Sequence, residues 1–205
     1  MKQYLFFLIA LLFLPVFLEA QTVEITPFAG YVFAGRMEAA NGYIRFRDNA
    51  QYGGMISIGV SRQTDIDLIY NRSDTKAEIN IWDVAYKEIP LSINYMQIGF
   101  TQNFRVNPKL SPFVGFNIGA CLMAPKEDYE DGWFFSVGMN AGVKYYFSKR
   151  VGLRVQGQFY IPVQSQGYYF FVSTSGTGGG VQLYSTMIQF GFTGGIIFRL
   201  GHIPQ

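Results

Sequence analysis

After residue 21 the chain consists of eight stretches in which apolar residues alternate with small or polar ones. A period of two is typical of β-strands whose two faces meet different surroundings. Each stretch also has roughly the 9–11 residues or more that a tilted strand needs to cross a bilayer. The pattern predicts strands over 23–33, 51–62, 65–74, 91–104, 111–121, 134–147, 151–161 and 182–200.

Short and long connections alternate between these stretches. Tight connections are predicted at 63–64, 105–110 and 148–150, and long ones at 34–50, 75–90, 122–133 and 162–181. Outer-membrane barrels have short periplasmic turns and long extracellular loops. The sequence therefore predicts an all-β fold, an eight-stranded antiparallel up-and-down transmembrane β-barrel, with both termini in the periplasm.

The composition of the polar face favours a membrane barrel over a soluble, lipocalin-like binding barrel, which remains an alternative. That face is mostly Gly, Ser, Thr, Asn and Gln, which suit a narrow interior better than a water-exposed surface. On the apolar face the only cations are Arg62 and Arg72, both at predicted strand ends. Aromatic residues at the same depths predict two interfacial belts: Tyr31, Phe33, Tyr52, Tyr70, Phe159 and Tyr184 outside, and Phe104, Tyr145, Phe147 and Phe198 on the periplasmic side.

Composition and the start of the chain narrow the class further. The chain has 205 residues, 15% charged and 18% aromatic, with a net charge of +2, so one domain is expected and a nucleic-acid partner is disfavoured. An apolar run over 5–18 is followed by an acceptable cleavage site at Leu18-Glu19-Ala20. We expect a signal peptide over 1–20 and an outer-membrane barrel domain over 21–205.

Five charged residues fall on the predicted inward face, towards the periplasmic ends of the strands. Closure of the barrel brings the first strand beside the last, and therefore Glu24 near Arg199. Buried charges must be paired, so we interpret the set as an ion-pair network that plugs the lumen, the alternative being a proton or ion path. Its members are Glu24, Asp67, Lys144, Arg154 and Arg199.

The sequence offers no convincing catalytic, cofactor or metal site. The only histidine, His202, follows the last strand, so His-activated nucleophiles at the outer rim are not expected, nor is a transition-metal cluster. Cys121 is interpreted as a packed small residue. The remaining candidates are interpreted as a solvated loop tip and a flexible loop: the acidic group Glu127, Asp128, Glu130 and Asp131, and the glycine-rich segment 176–180.

The first long connection combines cations and aromatic rings. Arg36, Arg45 and Arg47 are interleaved with Tyr43 and Phe46. A basic, aromatic outer loop is suited to anionic lipopolysaccharide or glycans, and we predict such a contact here.

Several short segments carry a resemblance to a known family. They are Leu18-Glu19-Ala20-Gln21, Asn94-Tyr95-Met96-Gln97-Ile98-Gly99, Pro112-Phe113-Val114-Gly115, Gly119-Ala120 and Gly194-Gly195-Ile196-Ile197-Phe198-Arg199-Leu200. With these the chain resembles the small outer-membrane β-barrels common in Bacteroidota, of OmpX-, OmpW- and OmpA-like architecture. The resemblance implies outer-membrane lipid and lipopolysaccharide as surroundings and the barrel assembly machinery as a partner, which would read the closing strand.

The function predicted from the sequence is non-enzymatic. We expect a structural or surface-interaction role through four long extracellular loops. A narrow channel for small solutes is the alternative, since fold analogy does not supply function.

Overall fold

A computed structural model describes residues 22–33, 35–39, 42–81, 84–126, 131–163 and 187–200. No helix among them has the length and apolarity needed to cross a bilayer. The predicted signal peptide lies outside these residues. The strands are β1 (Val23–Phe33), β2 (Arg36–Ala39), β3 (Gly42–Phe46), β4 (Asn49–Gly59), β5 (Thr64–Ile81), β6 (Val84–Asn103), β7 (Leu110–Pro125), β8 (Gly132–Tyr146), β9 (Val151–Val163) and β10 (Gln189–Leu200).

Eight of these strands close into an antiparallel barrel, which confirms the predicted fold class. The order is β5-β4-β1-β10-β9-β8-β7-β6, and pairing of β6 with β5 closes the ring. Short connections at 60–63, 104–109 and 147–150 join strands at one end, which we call the turn end. The opposite end, where the long connections lie, is the loop end.

Strands β2 and β3 continue the barrel wall at the loop end. The pairs Val32↔Asn49 and Arg36↔Arg45 have the same register. Strand β2 therefore continues the line of β1, and β3 continues the line of β4. Strand β5 pairs with both β4 and β3, and the registers of these two pairings differ by one residue. The difference marks a β-bulge near Arg47, between β3 and β4. The long connection predicted over 34–50 therefore contains two paired strands, β2 and β3, and its last two residues already belong to β4.

The second long connection is also paired. Strands β5 and β6 have 18 and 20 residues and remain hydrogen-bonded through most of the predicted loop 75–90. Strands β7 and β8 likewise extend into the predicted loop 122–133. These loop assignments were too long. Of the predicted loop 162–181 only 162–163, the end of β9, is described.

Side-chain direction decides between the two kinds of barrel. Ile188 and Phe192 face outwards and are 58% and 50% exposed, whereas Gln156 and Gln158 face the lumen and are 4% and 1% exposed. A soluble binding barrel has the reverse arrangement. The predicted belt residues that are described are also exposed on the outer face, and Tyr184 lies outside the described residues.

The lumen has two different fillings. Towards the turn end it is lined mainly by charged and amide side chains, together with a small apolar cluster of Phe28, Met55 and Ile69. Towards the loop end it is filled by an apolar cluster, which we call the cup. The cup consists of Ile44, Phe46, Ala77, Ile89, Leu91, Ile93, Tyr95, Cys121, Met123, Tyr160 and Met187, with Phe134 packed against it.

Candidate functional site

Glu24 is the centre of the charged part of the lumen. It lies opposite Arg199 across the β1–β10 closure, and the two side chains are joined at 2.8 Å. Lys144 from β8 donates to the other oxygen, Oε2, at 3.0 Å, and the Tyr146 hydroxyl donates at 2.8 Å to Oε1, the oxygen that Arg199 binds. Glu24, Lys144 and Arg199, three of the five residues selected from the sequence, thus meet at one carboxylate.

Asp65 belongs to this network, and the sequence analysis did not select it. Its carboxylate accepts hydrogen bonds from Lys144 at 2.8 Å and from the Asn103 amide at 2.8 Å. Asp65 lies two residues before Asp67 on β5, so the alternation of the strand places both side chains on the inward face. That spacing could have identified Asp65 from the sequence.

Asp67 and Arg154 form the second half of the network. The closest oxygen and guanidinium nitrogen are 3.8 Å apart, and Thr101 donates to Asp67 at 2.6 Å. The guanidinium lies 4.1 Å from the centroid of the Phe113 ring, within the range of a cation–π contact. Both charges are almost completely buried.

Amide side chains continue the network towards the loop end. Arg154 donates to Gln156 at 2.7 Å, Gln156 donates to Gln158 at 3.0 Å, and Gln158 donates to Gln51 at 2.9 Å. Asn71 donates to the same Gln51 oxygen at 2.8 Å. Three strands, β4, β5 and β9, are therefore linked across the lumen, which in an eight-stranded barrel is only wide enough for side chains.

Several polar atoms in this region have spare hydrogen-bonding capacity. One Asp67 oxygen, both terminal nitrogens of Arg154 and the side-chain amide of Asn117 are buried without a protein partner. Buried polar groups of this kind are commonly bridged by ordered water. The charged layer is therefore a polar plug in which some buried atoms have no hydrogen-bond partner among the described residues.

At the loop end the structure separates the two aromatic residues selected from the sequence. Tyr43 faces outwards, and its hydroxyl accepts a hydrogen bond from Asn80 at 3.2 Å. Phe46 is fully buried in the cup. The inclusion of Phe46 in a surface-contact set was wrong, because β3 alternates and residues 44 and 46 both face inwards.

The three arginines of the predicted contact set differ as well. Arg47 is ion-paired with Glu78 and Glu88, whereas Arg45 is exposed. The backbone of Arg36 lies opposite Arg45 in the β2–β3 pair. On β3 the exposed positive charge is therefore that of Arg45, whereas the charge of Arg47 is balanced by two carboxylates.

Other chemistry at the described residues is sparse. They hold no cluster of three or more His, Cys, Asp or Glu side chains arranged for a metal ion. Cys121 is a free, buried thiol within the cup. Residues 127–130, the segment 176–180 and His202 lie outside the described residues.

Comparison with solved structures places this architecture among known barrels. The chain superposes on OprG from Pseudomonas aeruginosa with a TM-score of 0.58 at 7% identity, covering 89% of this chain and 97% of that one. It superposes on Neisserial surface protein A with a TM-score of 0.57 at 10% identity, covering 88% of this chain and 97% of that one. For the outer-membrane protein AlkL the TM-score is 0.56 at 15% identity, with 91% of this chain and 92% of that one covered.

The chain has the fold of small outer-membrane β-barrels. No protein-family model and no curated protein sequence matches it. At these identities the likeness extends to the fold alone.

Proposed function

We propose that the protein is a non-enzymatic outer-membrane barrel whose turn end faces the periplasm. The exposed apolar face and its aromatic belts support insertion in a bilayer, since a protein in water does not expose so large an apolar surface. The structural neighbours OprG and AlkL are named as outer-membrane proteins. Short turns on the periplasmic side are the rule for such barrels.

Within that class we propose a surface-interaction role for the loop end. The observation that supports it is the cup. The β2–β3 and β5–β6 pairs extend the wall at the loop end and surround this packed apolar interior. Packing of this kind holds a surface in one shape, which suits recognition better than passage. The polar plug below the cup supports a lumen that does not conduct.

The experiment has two readouts. Separation of membranes from cells that express the full chain is expected to recover the protein with the outer membrane, and recovery in the soluble periplasm would contradict the proposal. Purified protein in planar bilayers is expected to give no discrete conductance steps. Reproducible steps would favour the second candidate, a narrow solute channel, which the spare polar atoms around Asp67, Asn117 and Arg154 support.

We further propose that the β2–β3 surface contacts anionic lipopolysaccharide through Arg36 and Arg45. The test is co-sedimentation of the reconstituted barrel with purified lipopolysaccharide. Replacement of both arginines by Gln is expected to weaken binding several-fold, because each phosphate contact contributes a charge-assisted hydrogen bond. The matched control, R62Q/R150Q, removes two exposed cations at the turn end. Equal binding by both variants would contradict this contact.

A further inference from the structure

A cavity at the turn end is not used by the proposed surface role. Its volume is about 620 Å³, and it lies between the β6–β7 turn, the β8–β9 turn and the end of β10. The charged lumen network forms its inner boundary, because Tyr146 and Arg199 both line it and both bind Glu24. Arg105, Lys109, Ser111, Phe147 and Lys149 also line it.

The charge of this cavity is one-sided. Arg105, Lys109 and Lys149 are exposed, and none of them has an ion pair or side-chain hydrogen bond among the described residues. No Asp or Glu is among the lining residues. Every cation of the lumen network, by contrast, lies within 4 Å of a carboxylate. Like charges held around one cavity attract anions strongly.

A buried donor also faces this space. Ser111 is 4% exposed and lines the cavity, yet its hydroxyl has no hydrogen-bond partner. An unsatisfied buried hydroxyl is costly, so a ligand that accepts its hydrogen bond gains from it. The neighbouring turn is held in shape by Asn107, whose side-chain oxygen accepts the backbone amides of Lys109 and Leu110 at 2.9 and 2.8 Å.

We propose that this cavity binds the phosphate of an anionic phospholipid headgroup. Lysine and arginine side chains with a hydroxyl donor match the oxygens of a phosphate. The cavity is large enough for the glycerol part of a headgroup as well. Phe147 forms part of its wall and is 62% exposed on the outer face in the turn-end belt, so the cavity borders the lipid. The assignment to the inner leaflet rests on the proposed function.

The test measures binding to the full barrel in an uncharged detergent, followed by the amide NMR signals of residues 109–111 and 148–149. The probes are dihexanoyl phosphatidylglycerol, dihexanoyl phosphatidylcholine and glycerol 3-phosphate. We expect phosphatidylglycerol to bind most tightly. K109Q/K149Q is expected to weaken it at least tenfold, and Ser111→Ala by about tenfold or more, the effect of losing one hydrogen bond to a charged group.

The matched control is R62Q/R150Q, which removes the same charge from turn-end positions that do not line the cavity. Unchanged binding by K109Q/K149Q, or an equal loss in the control, would overturn the site. Equal affinity for glycerol 3-phosphate and phosphatidylglycerol would overturn the lipid assignment. Folding of each variant is checked by its β-sheet circular dichroism. A barrel found outside the outer membrane would contradict the proposed function without changing this binding result.

Discussion

The two halves of β5 follow opposite rules. Between Ile66 and Tyr70 the outward side chains are apolar, as at Leu68, and the inward face combines the buried carboxylate of Asp67 with the apolar Ile69. Beyond Tyr70 the outward positions carry charge, as at Lys76, and the inward positions change from polar, as at Thr75, to apolar at Ala77. One continuous strand therefore inverts its polarity without any break in pairing.

The inversion shows what lies outside each half. Where lipid surrounds the barrel, apolar side chains face outwards and polar groups must be satisfied in the lumen. Where water surrounds the wall, the ordinary rule of a soluble protein returns and the apolar side chains form the cup. The membrane boundary on β5 therefore lies near Tyr70 and Asp74, and β6 inverts at the same level, between Asn94 and Met96.

The largest expected effect tests the polar half. Lys144→Gln leaves Glu24 and Asp65 without their shared cation inside the lumen. We expect a loss of about 3–5 kcal/mol in the free energy of unfolding, because breaking a buried pair leaves an uncompensated charge. Urea unfolding of the barrel in detergent micelles measures it. Lys149→Gln, an exposed control at the same end, should change little, and K144Q/D65N should recover part of the loss.

A smaller effect is expected in the apolar half. Leu91 is completely buried in the cup, and Leu91→Ala should cost roughly 2–4 kcal/mol through lost burial and the cavity left behind. Hydrogen exchange is expected to rise in the outer parts of β5 and β6 while the β1–β10 closure stays protected. Leu68→Ala on the lipid-facing surface is the control. Equal loss of protection in both halves would show that cup and plug unfold as one unit.

The smallest effect tests the outer surface of the wall beyond the belt. Arg72 donates to Asp74 at 2.9 Å, and this bond, with Lys126 at 3.1 Å, holds the pKa of the Asp74 carboxyl below its usual range. Asp74→Asn should cost less than about 1 kcal/mol at pH 7.

The pH dependence of that difference has a definite sign. A carboxyl with a lowered pKa in the folded state stabilises the protein above its unfolded pKa of about 4. The stabilisation by Asp74 is lost as the pH falls from there through the lowered folded pKa. Thermal unfolding of the wild type and Asp74→Asn between pH 7 and pH 2 should converge at low pH, and a constant difference would contradict this origin.

The turn-end parts of the strands could be predicted from the sequence because lipid imposes one consistent pattern there. The predicted bounds of the first strand match those of β1, and the face rich in Gln, Asn, Ser and Thr lines the lumen as expected, for example at Gln156 and Gln158. The loop-end parts could not be found by extending the same rule. At Lys76 and Ala77 the alternation continues with its polarity exchanged, so a search for lipid-type alternation ended at Asp74.

The candidate sites show the same limit. The cross-strand position of Glu24 and Arg199 followed from barrel closure alone. The contact of Lys144 on β8 with Asp65 on β5 depends on the registers of β5, β6, β7 and β8. The alternation of apolar and polar residues does not reveal these registers. Phe46 was assigned to the surface because its segment was predicted as a connection, and the alternation of a strand was therefore not applied to it. The turn-end cavity was missed because its cations belong to two turns that are distant in the chain.

Cys121 gives these two halves a built-in reporter. It is the only cysteine of the chain, and it is completely buried within the cup. A thiol reagent can therefore modify the native protein only while the wall above the belt transiently separates. The labelling rate, compared with the rate of global unfolding, gives the frequency of these openings in intact cells without any engineered label.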